Sequence, residues 1–345
     1  MKAVVLSGGH GTRLRPLTYS MPKQLIPVGG QPVLGYVFDD IAECGINDVV
    51  VITSPESRGP VSDFIADSSF DLDFTVVVQD EPNGLAAAFG LAVPYLDGGP
   101  SLLMLGDCLL TGGIKHLVDD HRSSGAAATI LVREVDDPSR YGIVSIEHGR
   151  IVALLEKPPD PPTNLAIVGV YAFGPEIAES VSAIAPSARG EYEITDAIQH
   201  LVDSGGLVRP AELNGWWIDT GTVEDVLAGH EWILSDKRRG GPPVSVHSTA
   251  SVSDCELIGP VVVDAGATLS DSTVGPFTHV GAGASVSGSV ITHSILMPGS
   301  KVGNAQVRRS ILGRDATFLG DGREGWHHLV LGSDAVVESQ VNHSG

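Results

Sequence analysis

The sequence predicts an α/β chain in two parts. A doubly wound, Rossmann-like sheet domain spans residues 1–239, and a left-handed parallel β-helix spans 240–345. Three observations carry this prediction. Short apolar runs alternate with helical stretches through the first two thirds of the chain. A glycine-rich turn with basic neighbours follows the first run. Aliphatic residues then recur at every sixth position through the last third.

Ala3–Leu6 reads as the first strand and leads directly into Gly8-Gly9-His10-Gly11. Asp48–Thr53, Phe74–Val78 and Ser101–Leu105 are continuous apolar runs, the pattern of strands buried on both faces of a parallel sheet. Helical stretches near 32–45, 57–67, 84–96 and 114–124 complete a βαβ rhythm. Ligands of such sheets lie beyond the carboxyl ends of the strands. Gly8–Gly11, Gln79 and Asp107 follow three of these strands and are expected to face one crevice. The middle of the chain differs: Tyr141–Ile146, Arg150–Leu155 and Leu165–Phe173 read as successive strands, and Ile194–Ser204 and Val223–Arg239 as helices. A linker is expected at Arg238–Pro243.

Beyond the linker the period changes. The six-residue series runs through Val246, Val252 and Ile258; Val262, Val274, Val280 and Val286, with Thr268 in the missing slot; Val290, Leu296 and Val302; then Leu312 and Phe318. These aliphatics are expected to stack inside the coil, with glycine and small polar residues between them. Gly320–His328 interrupts the series, and the last few residues read as a frayed end.

Composition narrows the function. With 21 Lys and Arg against 42 Asp and Glu, the formal charge is −21, which argues against sequence-independent nucleic-acid binding and against an anionic membrane surface. Cys44, Cys108 and Cys255 are widely spaced and lack a Cys-x-x-Cys, so neither a disulfide framework nor a zinc site is expected. The N-terminus lacks a signal-peptide pattern and no apolar run is long enough to span a membrane, so a reducing cytoplasm is expected.

Against this acidic background the first 38 residues contain no Asp or Glu. The turn at Gly8, Gly9 and Gly11 can present backbone N–H groups as a concave anion site, and Arg13, Arg15 and Lys23 add full positive charge. It is not a P-loop, because no Lys-Ser or Lys-Thr follows the glycines. It is not a dinucleotide fingerprint either, because the third glycine is missing. A polyphosphate site remains.

The stretch Ser7-Gly8-Gly9-His10-Gly11-Thr12-Arg13-Leu14-Arg15-Pro16-Leu17-Thr18, with Pro22-Lys23-Gln24-Leu25-Ile26-Pro27-Val28, resembles the signature of the sugar-1-phosphate nucleotidylyltransferases. Within them it is most similar to the long-form glucose-1-phosphate thymidylyltransferases. The resemblance continues through Gln79–Ala86, Leu105-Gly106-Asp107, Tyr141-Gly142, Glu156-Lys157-Pro158, Arg189–Asp196 and Trp217–Gly221, and so covers residues 1 to about 235 densely.

The resemblance implies transfer of a nucleotidyl group from dTTP to glucose-1-phosphate. The sugar phosphate attacks the α-phosphate and pyrophosphate leaves. Because the attacking oxygen is already anionic, alignment and charge neutralisation are the work required. The catalytic residues implied are Arg13, Lys23, Asp107 and Lys157. The nucleotide would be held by Leu6, Gly8, Gly9, Gly11, Thr12, Arg13, Gln24, Gln79, Gly84 and Asp107, with the two glutamines on the pyrimidine edge. The sugar phosphate would meet Tyr141, Gly142, Glu156, Lys157, Gly169, Arg189, Glu191 and Trp217. Mg²⁺ would be held by Asp107 and Asp219. Cys108 stands where the family commonly has asparagine, which alters the surroundings of that metal.

UTP remains an alternative donor, because uracil offers the same edge as thymine. A bifunctional enzyme with an acyltransferase coil and a non-catalytic nucleotide binder are the other readings. His279 and His293 are expected as turn residues rather than bases, and His327-His328 as loop. Coils of this type commonly associate side by side, so a homo-oligomer is expected.

Overall fold

The computed structural model describes residues 1–236, 239 and 241–339. The chain forms two compact units: Met1–Gly9 with Leu34–Ile218, and His10–Val33 with Asp219–Gly345. Arg238 and Gly240 of the expected linker and the C-terminal tail from 340 lie outside the described residues.

The first unit is built on a nine-stranded sheet. Its strands are β1 (Lys2–Ser7), β2 (Asp48–Thr53), β3 (Asp73–Val78), β4 (Ser101–Leu105), β5 (Ala128–Glu134), β6 (Gly142–Glu147), β7 (Arg150–Glu156), β8 (Leu165–Phe173) and β9 (Val208–Glu212). The order β3-β2-β1-β4 is parallel throughout, as the apolar runs require. Beyond β4 the sheet becomes mixed. β8 runs antiparallel to β4, β5 and β6; β7 pairs antiparallel with β6; β9 lies parallel to β5. β8 serves three neighbours because its register shifts between Ile167 and Tyr171. Gly169 sits at that shift with φ +83°, and a Cβ there would lie 2.8 Å from Leu105 Cδ1. Only glycine fits both the backbone angle and the space.

Helices α1 (Val33–Glu43), α2 (Pro55–Asp67), α3 (Leu85–Ala92) and α4 (Lys115–Ser124) supply the crossovers and match the helical stretches expected. Ser54 caps α2 by accepting the Ser57 N–H, with Pro55 at the first helical position. α5 (Ile177–Ala183) and α6 (Ile194–Asp203) follow β8. Phe89 and Phe173 meet edge to face at 5.6 Å in a core shared by α3, β8 and α6. Among the described residues no helix is long and apolar enough to cross a membrane.

The second unit contains the signature segment, α7 (Val223–Ser235) and the coil. A capping box between Thr222 and Asp225 starts α7, and extended Asp236 ends it four residues short of the expected Arg239. The coil is a left-handed β-helix of three parallel sheets, and one ladder of inward residues runs Val263, Val280, Leu296, Leu312. Partners along these ladders fall 17 or 16 residues apart, shorter than three full hexapeptides. That shortening moves the phase of in-and-out alternation. Leu269 is inside where Thr268 is exposed, and Ile291 is inside where Val290 is only half-buried. Val262 also faces outward, between buried Val261 and Val263. Val246, Val252 and Ile258 are 38–40 % exposed because no coil stacks on the first one.

Candidate active site

In the first unit, parallel strands set three signature groups along one edge. Gly8 follows β1, Gln79 follows β3, and Asp107 stands two residues past β4. The Gly106 N–H bonds the Leu6 carbonyl at 2.8 Å, which fastens the turn before Asp107 to the end of β1. A Cβ on Gly8 would lie 3.5 Å from Ser54 N and 3.8 Å from Gln79 Oε1, so the glycine lets β1 end close to its neighbours. Gln79 is oriented from both sides. Its backbone N–H reaches the Thr53 carbonyl at 2.8 Å, and its Nε2 donates to Asn83 Oδ1 at 3.0 Å. Gly84 starts α3 at φ +115°, and a Cβ there would stand 2.4 Å from Tyr192 O and 2.5 Å from Tyr192 N.

A second group gathers where β6 and β7 pair. Gly142 lies opposite Glu156 in the ladder, and a Cβ on it would touch Glu156 Oε2 at 3.1 Å. Glu156 is 18 % exposed and is shared by Lys157 Nζ at 3.4 Å and Arg189 Nη1 at 3.5 Å, while Thr195 Oγ1 donates to its other oxygen at 3.3 Å. Arg189 also reaches Glu191 at 3.4 Å and Glu193 at 3.5 Å. Burial, then the Glu156 charge, pushes the Glu193 carboxyl above its ordinary range. Tyr141 and Trp217 place their rings 5.1 Å apart, and the buried Trp217 indole N–H has no hydrogen-bond partner among the described residues.

In the second unit the signature loop is tightly wound. Gly11 is left-handed at φ +60°; the Leu14 N–H and the Thr18 hydroxyl both donate to its carbonyl. A Cβ on Gly11 would lie 2.9 Å from Thr18 Cγ2 and 3.1 Å from Lys23 Cβ, so this glycine brings the Lys23 stem close. Thr12 and Arg13 form the following 3₁₀ turn. The Arg13 guanidinium lies against Gly221: a Cβ there would be 2.8 Å from Arg13 Nη2 and 3.5 Å from Asp219 Oδ1. Gln24 is 1 % exposed, and its Oε1 has no hydrogen-bond partner among the described residues. Burying such an oxygen without a partner is costly. Arg15 instead stacks on the exposed Tyr19 ring at 5.0 Å.

The nucleotidyl transferase family profile matches residues 2–236. The chain belongs to the nucleotidyl transferase family. Within this family it is 40 % identical to a glucose-1-phosphate thymidylyltransferase of Streptomyces antibioticus, across 99 % of this chain and all of that one. It is 38 % identical to the UTP–glucose-1-phosphate uridylyltransferase AglF of Haloferax volcanii, across 65 % of this chain and 93 % of that one. A solved Bacillus anthracis structure, assigned as a glucose-1-phosphate thymidylyltransferase and holding a sucrose, superposes with a TM-score of 0.63 at 33 % identity. It covers 67 % of this chain and 94 % of that one.

Sugar nucleotidyltransferases of this family generally depend on a divalent metal. Among the described residues no three His, Cys, Asp or Glu side chains come together as a metal site. Asp107 in the first unit and Asp219 in the second are both hard carboxylates of the chemistry that Mg²⁺ takes alongside phosphate oxygens and water. Cys108 is buried and donates from Sγ to the Val168 carbonyl at 3.3 Å, so it packs β8 instead of addressing solvent.

Glu193, Thr195 and Ser187 belong to the group around Arg189 and carried no role in the sequence reading. The signal available was the alternation Glu191-Tyr192-Glu193 just before a helix, with the second carboxylate buried. Gly169 makes the β8 kink on Leu105. His279 is 2 % exposed and bonded to Asp264 at 2.7 Å, which removes it as an accessible base in the coil. His327 lies in a strand and packs its ring 4.9 Å from Phe318, contrary to the loop expected.

Proposed function

We propose that this nucleotidyltransferase makes dTDP-glucose and pyrophosphate from dTTP and glucose-1-phosphate. One observation carries the sugar-phosphate half of this reading. A half-buried carboxylate, Glu156, is flanked by two cations, Lys157 and Arg189, in the unit that also sets the Tyr141 and Trp217 rings 5.1 Å apart and tilted by 58°. Glu156 offers oxygens to sugar hydroxyls, the two cations offer charge to a phosphate, and the rings offer a wall to a sugar's C–H face. The cations are balanced by Glu156, Glu191 and Glu193 in the absence of substrate.

Arg13 and Lys23 neutralise the triphosphate as pyrophosphate departs, and Gln24 and Gln79 meet the pyrimidine edge. Glycines 8, 9, 11 and 84 keep side chains out of the nucleotide's way, with Leu6 and Thr12 framing the turn. A divalent ion would supply further neutralisation of phosphate charge, with Asp107 and Asp219 as the carboxylates that would hold it. Lys157 and Arg189 orient the sugar phosphate, whose oxygen needs no base because it is already anionic. The three cysteines are free thiols, in keeping with a reducing cytoplasm.

The Haloferax relative favours a second reading with UTP as donor. Pyrophosphate release from glucose-1-phosphate with dTTP or UTP, with and without Mg²⁺, separates the two. The expected result is Mg²⁺-dependent release that is faster with dTTP. Release with neither nucleotide overturns the function, and faster release with UTP reassigns the donor. Sedimentation velocity on the same protein reads the expected self-association.

A further inference from the structure

One sheet of the coil has an apolar outward row that is covered. Its outward row, in register from coil to coil, is Val262, His279, Ile295, Ile311 and Val330. In a neighbouring sheet the corresponding outward row is polar through Thr268, Ser285, Lys301 and Thr317 before it ends at the exposed Val336. His279 is 2 % exposed, and Ile295 and Ile311 are fully buried, so this row is covered although it faces away from the coil interior.

The cover comes from the second unit itself. Gly30, at the end of the signature segment, approaches Val262 Cγ1 and His279 Nε2: a Cβ on it would lie 3.6 and 4.0 Å from them. Gly29 donates its N–H to Nδ1 of His230 on α7 at 2.9 Å. Glu231, the next residue on α7, pairs with Arg309 of the coil at 3.4 Å. At the far end the contact recurs. A Cβ on Gly332 would stand 3.2 Å from the Pro16 carbonyl, and the Ser20 and Ser333 hydroxyls share a hydrogen bond at 2.7 Å. The segment from Pro16 to Gly30 is therefore tied at both ends to the coil and α7, and Arg13, Lys23 and Gln24 lie within or beside it.

We propose that the β-helix is the mount of the phosphate-binding loop. The outward row and Gly332 act as positioning residues for Arg13 and Lys23 without touching substrate. This deepens the proposed function and rests on it. A loop wound as 3₁₀ turns has few internal bonds to hold cationic side chains to the tolerance that phosphoryl chemistry needs. A stack of parallel coils is a rigid backing.

Gly332→Leu tests this. The backbone there carries no left-handed angle, so the variant presses on Pro16 without straining its own strand end. Thr268→Leu, on an exposed outward position of another sheet, is the control. Gly332→Leu is expected to lower kcat/KM for the nucleotide about a hundredfold, the scale of an approximately 1 Å misplacement. KM for glucose-1-phosphate and the melting temperature should hold, and Gly332→Ala should recover most of the rate. Unchanged kinetics in Gly332→Leu, equal losses for both substrates, or an equal loss in Thr268→Leu overturns the proposal. Calorimetric binding of dTTP alone keeps the two readings apart. If the wild type does not turn over, the proposed function fails, yet weaker dTTP binding by Gly332→Leu still supports the mount and unchanged binding refutes it.

Discussion

Gly84→Ala concentrates several consequences in one methyl group. The residue sits at φ +115° and ψ 165°, a region that L side chains rarely adopt. The added Cβ would fall 2.4 Å from Tyr192 O and 2.5 Å from Tyr192 N, which are backbone atoms with no rotamer to escape into. The strained angle costs about 1–3 kcal/mol. Displacing the neighbouring backbone adds about 1–3 kcal/mol more. For a unit of this size the melting temperature should drop by roughly 5–20 °C, at about 2–4 °C per kcal/mol. The displaced segment is informative, because the Tyr192 N–H bonds the Asn83 carbonyl and its own carbonyl accepts the Ala86 N–H. Moving Tyr192 shifts Glu191 and Glu193, which balance Arg189, so KM for glucose-1-phosphate should rise along with the loss of stability. Differential scanning calorimetry and steady-state kinetics on the same preparation measure both. A Gly84→Ala enzyme that melts with the wild type and keeps its KM refutes the reasoning.

Arg13→Ala should lower kcat by about 10²–10³, the cost of one lost donor to developing charge, with little change in melting temperature; single-turnover kinetics check it. Glu156→Gln should raise KM for glucose-1-phosphate at least tenfold, since a hydrogen bond to a charged group is worth about 1.5–3 kcal/mol, and leave KM for the nucleotide in place. His230 is fully buried, and burial, with His279 and His293 adding, pushes its pKa down to about 3. Its folded value lies below the unfolded one, so its stabilising contribution is complete above about pH 6.5 and is lost as pH falls toward 3, by up to about 1.4 kcal/mol per pH unit. Urea midpoints between pH 7 and 4.5 should therefore fall more steeply in the wild type than in His230→Gln, which can still accept the Gly29 N–H; parallel slopes would show that His230 does not titrate in this range.

The parallel half of the sheet was legible because β1, β2 and β4 are apolar runs buried on both faces; β3 was read the same way, but as the edge strand it is only half-buried and lacks the expected burial on both faces. The two strands that went unread had different reasons. Val208–Glu212 carries Pro210 at a position where proline argues against a strand, and it survives because β9 is a sheet edge. Ala128–Glu134 is as apolar as the others and lies between Ser124-Gly125 and Asp137-Pro138, so its signal was present in the sequence and was passed over. In the candidate site the glycines and cations stood out by type and spacing. Glu193 did not, since burial is what distinguishes it from its neighbour Glu191, and burial depends on long-range packing.

The outward row of the coil shows why a hexapeptide count stops short of function. A six-residue period reports which positions can face inward, and it is satisfied equally by Val262, which faces outward, and by Val263, which faces inward one residue later. Only the pairing register separates them, and the register follows from coils of 17 and 16 residues. Once the phase is set, Ile295 and Ile311 become apolar residues on the wrong side of a sheet, which need a cover. Gly29, Gly30, Pro16 and Ser20 lie more than 200 residues earlier and touch α7 and the coil, so no local pattern in either stretch could announce the contact. A composition change marks where the pattern of the chain alters; which segments pack as one body is decided by buried surface, and here that surface joins the loop carrying Arg13, Arg15 and Lys23 to the apolar outward row of the coil.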